Sequence, residues 1–164
     1  MTNSDTTTNK DAKDANPPST PGVGHQRLNA FVGTWHTTGS TRATADAPSE
    51  RIEATDRYEW MEGGFFLLHH IDSRVPKAFK GLEIIGYDAA GGNYSMSSFY
   101  GDGTRQVMTG DLKGADFQIT GPTERFAGTF SKDGASLSGT WERSEDGRTW
   151  QPWMDITLQK RQVP

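Results

Sequence analysis

The stretch Phe31-Val32-Gly33-Thr34-Trp35-His36-Thr37-Thr38-Gly39 decides the fold. A glycine followed two residues later by tryptophan is entered from a short apolar turn and runs on into alternating small residues, as the first strand of a closed antiparallel barrel does. Gly33 lets another backbone pass close, and Trp35 is large enough to plug a barrel floor. By alternation an inward Trp35 turns His36 outward, as a solvated strand residue rather than a ligand.

Working outward toward the N-terminus, Leu28, Phe31 and Val32 recur at helical spacing over barely two turns. This predicts a short helix that caps one barrel end and stops at Gly33. Residues 1–24 are rich in Thr, Asn, Asp and Pro and contain no aromatic residue and no Leu or Ile. Such a segment cannot offset its own ordering entropy, and Pro17, Pro18 and Pro21 keep it locally extended. Residues 1–24 are therefore read as a disordered tail and 25–164 as a single β-barrel domain.

Toward the C-terminus the period changes to two, and roughly ten short strands follow between turn signals. Their expected spans are 34–42, 51–61, 65–74, 80–88, 94–100, 105–112, 115–120, 125–131, 135–142 and 153–160. Gly63-Gly64, Gly91-Gly92-Asn93, Asp102-Gly103, Lys113-Gly114, Asp133-Gly134 and Asp146-Gly147 supply the backbone conformations of hairpin turns. Short loops pair sequential neighbours antiparallel, and closing the sheet removes the two exposed edges that it would otherwise leave. The expected architecture is all-β: a closed up-and-down antiparallel barrel with a short N-terminal helix.

Alternation is clearest in the second strand, where Ile52, Ala54, Asp56, Tyr58 and Trp60 share an inward face. A turn at Gly63-Gly64 then sets Trp60 opposite Leu67, Tyr58 opposite His69 and Asp56 opposite Ile71, with Glu53 opposite Arg74 as an outer-face charge pair. Asp56, Tyr58 and His69 thus come together on an otherwise apolar face. Two readings stand: a polar anchor or acid-base pair in a ligand cavity, or a satisfied hydrogen-bond cluster that fills the barrel, or else an Asp56 that reaches water near a strand end. Tyr87, Met96, Tyr100, Trp141 and Met154 are further candidates to line a cavity, or plain core. The ligand-binding set expected is Asp56, Tyr58, His69, Tyr87, Met96, Tyr100 and Trp141; catalytic residues are unassigned. Lys160 and Arg161 are placed to cover the Trp35 ring.

Composition removes several function classes. The chain has 164 residues, a formal net charge of -4, a pI near 5.5, 32% hydrophobic residues and a mean hydropathy of -0.73. A mildly acidic chain lacks the basic footprint that binds nucleic acid. The absence of cysteine rules out disulfides and thiolate chemistry. No apolar run approaches the roughly 20 residues that span a bilayer, so a cytoplasmic protein without a membrane partner is expected. His70 shares a face with Asp72 and is expected to be exposed, and His25 is placed before the helix. With only His69 inside, no metal site and no cofactor are expected.

The closing segment, from Leu137 through Trp141-Glu142, Asp146-Gly147 and Trp150 to Met154, Ile156 and Leu158, reads as a hairpin. Together with the opening helix-Gly-Thr-Trp, Gly63-Gly64-Phe65 and Gly86-Tyr87-Asp88 before a turn ending in Tyr94, it resembles a bacterial family of uncharacterised calycin-like proteins. The likeness covers about residues 25 to 161. It implies a lipocalin-like barrel and carries no established activity. More distantly the opening strand is similar to that of the haem-binding nitrobindins, which hold iron with a late-strand His. This chain has no His after His70, so a haem role would fall to His69, on another wall.

The leading functional expectation is a binding protein that holds a small, mainly apolar molecule inside the barrel. The alternative is a cofactor-independent isomerase, lyase or hydrolase using Asp56 and His69; a packed barrel that works through its surface is a third reading, and haem binding ranks below the first two. Oligomeric state, including homo-oligomerisation, and ligand identity are open at this stage.

Overall fold

The computed structural model describes residues 20–162. The expected tail therefore lies outside the described residues up to residue 19, and among the described residues the first helix starts at Val23. A four-residue helix α1 (Val23–Gln26) continues into a 3-10 turn (Arg27–Ala30), and His25 lies within α1, its Nδ1 accepting a hydrogen bond from the Gly22 N–H at 3.1 Å.

Ten strands follow: β1 (Gly33–Thr41), β2 (Arg51–Trp60), β3 (Phe66–Val75), β4 (Phe79–Asp88), β5 (Asn93–Tyr100), β6 (Arg105–Lys113), β7 (Asp116–Thr120), β8 (Glu124–Phe130), β9 (Ser136–Arg143) and β10 (Gln151–Lys160). Each pairs antiparallel with its sequence neighbour, and β1 pairs with β10 to close the barrel. Closure leaves no unpaired edge. The short turns are made by glycines at positive φ, notably Gly63 (φ 93) and Gly64 (φ 73) between β2 and β3.

The Gly63-Gly64 turn sets the expected register: Asp56 opposes Ile71, Tyr58 opposes His69 and Trp60 opposes Leu67. The Glu53–Arg74 pair does not form. A β-bulge between Glu53 and Ala54 shifts the register, so that Glu53 opposes Val75 and takes Arg51 of its own strand as ion-pair partner. A bulge sets two residues against one, and its extra residue is left without a cross-strand partner.

The α1 end of the barrel is closed by a packed aromatic core. Phe31 lies with its ring 4.8 Å from Phe117, 5.1 Å from Phe130 and 5.4 Å from Tyr58, centroid to centroid. Trp35 is fully buried, its Nε1–H donates to the Phe31 carbonyl at 2.6 Å, and Lys160 lies 4.9 Å from its ring centroid. Of the two basic residues expected over the indole, Lys160 is the one that covers it. The floor differs in one detail from expectation: Phe31 forms the surface that faces the interior, and Trp35 supports it from behind. Tyr94 ties α1 to the barrel through a 2.8 Å hydrogen bond from its hydroxyl to the Gly24 carbonyl.

The outer face also departs from simple alternation. Phe66, Phe99 and Val107 are exposed on β3, β5 and β6, while Leu82 and Ile84 lie half-buried on the outward side of β4. His36 points outward as expected but is half-buried rather than solvated, and its Nδ1 is buried without a hydrogen-bond partner among the described residues. His70 is partly exposed and bonds Glu59 Oε1 through Nε2 at 2.9 Å. Among the described residues no helix is long and apolar enough to cross a membrane.

Candidate functional site

Above the Phe31 floor the barrel holds a cavity of about 980 Å³, which opens between the loops at the opposite end. Side chains that alternate inward from the strands line it. Its two walls differ. From β6 to β10 the wall below the rim is apolar, with Met108, Phe117, Ile119, Phe126, Trp141 and Ile156. From β1 to β5 the wall carries Thr37, Asp56, His69, Glu83 and Ser98, set among Ala54, Ile85 and Met96.

These polar side chains form one network centred on His69. Its Nε2 lies 2.8 Å from Asp56 Oδ1 and its Nδ1 lies 3.1 Å from Glu83 Oε1. The Thr37 hydroxyl donates to Asp56 Oδ2, and the Ser98 hydroxyl donates to Glu83 Oε2 at 2.8 Å. The Tyr58 ring lies flat against the imidazole, with centroids 4.0 Å apart and planes 10° apart. Asp56, His69 and Glu83 are each less than a tenth exposed. Strand register explains the convergence, since Tyr58 faces His69, His69 faces Glu83 and Glu83 faces Ser98 across three successive strand pairs.

The network decides the charge state of His69. Burial alone would push its pKa down, but the hydrogen bonds to Asp56 and Glu83, with the charges of those carboxyl groups, outweigh burial and hold it at about 9. Both ring nitrogens face acceptors, which only the imidazolium satisfies with two N–H groups. Burial, reinforced by Asp56 and Glu83, pushes the Tyr58 phenol well above its ordinary value. At neutral pH the site therefore holds an imidazolium with both protons committed, and the ring has no free lone pair to act as a base.

This arrangement has a pH signature. Below about pH 6.5 the ring is protonated in folded and unfolded chains alike, and the stabilisation from holding the proton more tightly in the fold is fully present. Between the ordinary value of 6.5 and the folded value of about 9 the unfolded chain releases its proton while the folded chain keeps it, so that stabilisation is lost. The melting temperature is expected to fall across this interval, and His69→Gln to remove that part of the slope. Thermal melts from roughly pH 6 to 10 test this linkage; a slope shared by the variant contradicts it.

Of the expected ligand-binding residues, Asp56, Tyr58, His69, Met96, Tyr100 and Trp141 line the cavity. Tyr87 does not. It lies at the closed end, its ring 5.4 Å from that of His25 and 5.5 Å from that of Tyr94, and packed over Gly24. The loops and strand ends of the rim add Arg143, whose guanidinium sits 3.1 Å from the Trp153 ring centroid and bonds Glu124 Oε1 at 3.1 Å.

Sequence reasoning missed Thr37, Glu83 and Ser98. Thr37 has the same parity as the inward Trp35 and was within reach of alternation. Glu83 sits in Leu82-Glu83-Ile84-Ile85, apolar on both faces, where alternation has no sign to read. Among the described residues no group of three His, Asp or Glu side chains has the geometry to hold a metal ion. Haem fits poorly as well: both nitrogens of His69 are bonded to carboxyl groups, and an iron atom would have to displace one of them.

Fold and cavity together define a calycin-like antiparallel barrel with an interior open at one end. The chain belongs to the family described as "Protein of unknown function (DUF1579)", which matches residues 20–148. In structure it is similar to Rv2717c from M. tuberculosis, at 13% identity and a TM-score of 0.65, covering 86% of this chain and 99% of that one. A further likeness, at 11% identity and a TM-score of 0.41, is to EF1p2_mFAP2b bound to DFHBI, covering 84% of this chain and 98% of the other. No curated protein matches the sequence.

Proposed function

We propose that this protein binds a small, mainly apolar molecule inside its barrel. The observation that carries the reading is the cavity of about 980 Å³. It is reached from one end, walled largely by apolar side chains, and marked by one localised polar cluster. Ligand sites typically occupy about 300–1,000 Å³ and combine an apolar lining with a few placed polar groups. A barrel packed for stability alone would fill such a volume, because each unfilled space in a core is destabilising. Any bound molecule is expected to touch at least one of Asp56, Tyr58 and His69. The cytoplasmic setting belongs to the proposal as the default for a chain without an apolar spanning run.

The test is equilibrium titration of an uncharged, environment-sensitive apolar fluorophore into the full chain and into Ala54→Trp. Ala54 is buried on β2 and lines the cavity, so an indole there occupies ligand space. Saturable binding by the parent and a loss of about tenfold or more in the variant, or about 1.4 kcal/mol, is expected. Equal affinity in both would place the fluorophore outside the barrel and overturn the reading.

A further inference from the structure

We propose that the molecule held in the cavity carries a hydrogen-bond donor, best a protonated amine, directed at the Asp56–His69–Glu83 cluster, with its apolar body against the β6–β10 wall. The inference rests on the binding reading above and names the ligand chemistry of that same site.

A census of donors and acceptors gives the first reason. Both ring nitrogens of His69 are bonded to carboxyl groups, and the hydroxyls of Thr37 and Ser98 also donate to those groups. Every donor of these residues is thus committed within the cluster. Each oxygen of Asp56 and Glu83 takes one protein donor and keeps a second lone pair. What the wall offers a ligand is acceptors.

Charge gives the second reason. Counted formally, two acidic side chains face one basic side chain, an excess of one acid group at the wall. In a buried setting that excess is weakly screened. A ligand ammonium brings donors and the balancing charge together. A carboxylate of the same shape brings neither and meets like charge.

Tyr58 is an independent observation. The residue is 7% exposed and lines the cavity, and its hydroxyl makes no hydrogen bond among the described residues without being one of the fully buried unpaired atoms, so it keeps accessible surface. An accessible hydroxyl on the cavity wall is available to accept from a donor-bearing ligand held beside the His69–Tyr58 stack. The apolar side chains of the facing wall, from Met108 to Ile156, then take the hydrocarbon part.

The rim sets up a competing outcome. Lys77, Lys80 and Arg105 lie at the mouth, and an anionic head group held there would give a preference for acids instead. Calorimetric titration of the full chain at neutral pH with octylamine, 1-octanol and octanoate separates the two, since the three share one tail. Octylamine is expected to bind tightest, by about tenfold or more over octanoate. Glu83→Gln, which removes the excess acid group, is expected to bring octylamine to the affinity of octanol. Tyr58→Phe, which deletes only the unpartnered hydroxyl, is expected to weaken octylamine several-fold while its melting temperature confirms folding. Octanoate binding as tightly as octylamine overturns the donor preference, octylamine binding no tighter than octanol overturns the choice of an ammonium, and either result leaves the binding reading standing. No binding of any of the three overturns both.

Discussion

His69→Ala is expected to lower the stability of the barrel by about 3–5 kcal/mol, the cost typical of breaking a buried ion pair by removing one partner. The imidazole is the shared partner of Asp56 at 2.8 Å and of Glu83 at 3.1 Å. Without it two acid groups face each other in a largely apolar interior, and Tyr58 loses the ring stacked on it. A domain is commonly stable by only about 5–15 kcal/mol, so this loss is a large fraction of the whole. Adding Asp56→Asn and Glu83→Gln to His69→Ala is expected to recover part of it, because the charges left unpaired are then absent. Chemical denaturation of the single and triple variants measures both effects. A single variant as stable as the parent would show that the carboxyl groups do not depend on His69.

Trp35→Ala is expected to cost a similar amount, about 3–5 kcal/mol, for a different reason. The indole is fully buried, donates to the Phe31 carbonyl at 2.6 Å and lies 6.2 Å from the Phe130 ring, centroid to centroid. Its removal leaves a void under the floor and strips a partner from a buried carbonyl. The floor residue Phe31 then loses its support, so the cavity is expected to deepen toward α1. Denaturant midpoints report the stability loss; a parent-like midpoint would contradict the role given to Trp35.

These two residues also mark how far the sequence could be read. Gly33 and Trp35 announced a barrel because the demands they meet are local and strong: Trp35 is a large buried plug, and Gly33 holds a φ of 125, although against expectation no backbone among the described residues passes close to it and only the Lys160 side chain lies near. Alternation carried the reading across β2, where Ile52, Ala54, Asp56 and Tyr58 separate cleanly from Arg51, Glu53, Thr55 and Arg57. The Gly63-Gly64 turn then transferred the register to β3 and brought His69 opposite Tyr58.

The reading failed where the physical signal was absent. The bulge at Glu53 leaves no mark in composition, so the Glu53–Arg74 pair was expected and does not form. Glu83 stayed hidden because Leu82 and Ile84 are apolar on the outward side of β4 and Ile85 is apolar on the inward side. Without Glu83, an acid-base pair of His69 with Asp56 stayed open beside a polar anchor and a satisfied hydrogen-bond cluster, whereas the second ring nitrogen is also engaged. Tyr87 was placed in the cavity by residue type. It belongs instead to the aromatic packing under α1, an arrangement set by tertiary contacts that periodicity does not carry.

The central claim is that the interior is a ligand site organised by His69, and the imidazole nitrogens of that residue report on it directly. Nitrogen-15 NMR of the histidine side chains at neutral pH, before and after addition of an uncharged apolar ligand, is the most direct measurement. The account predicts a doubly protonated His69 in the free protein, and a His69 resonance that moves with ligand while the outward-facing His36 and His70 stay in place. A neutral His69, or ligand-induced shifts confined to His36 and His70, would contradict it.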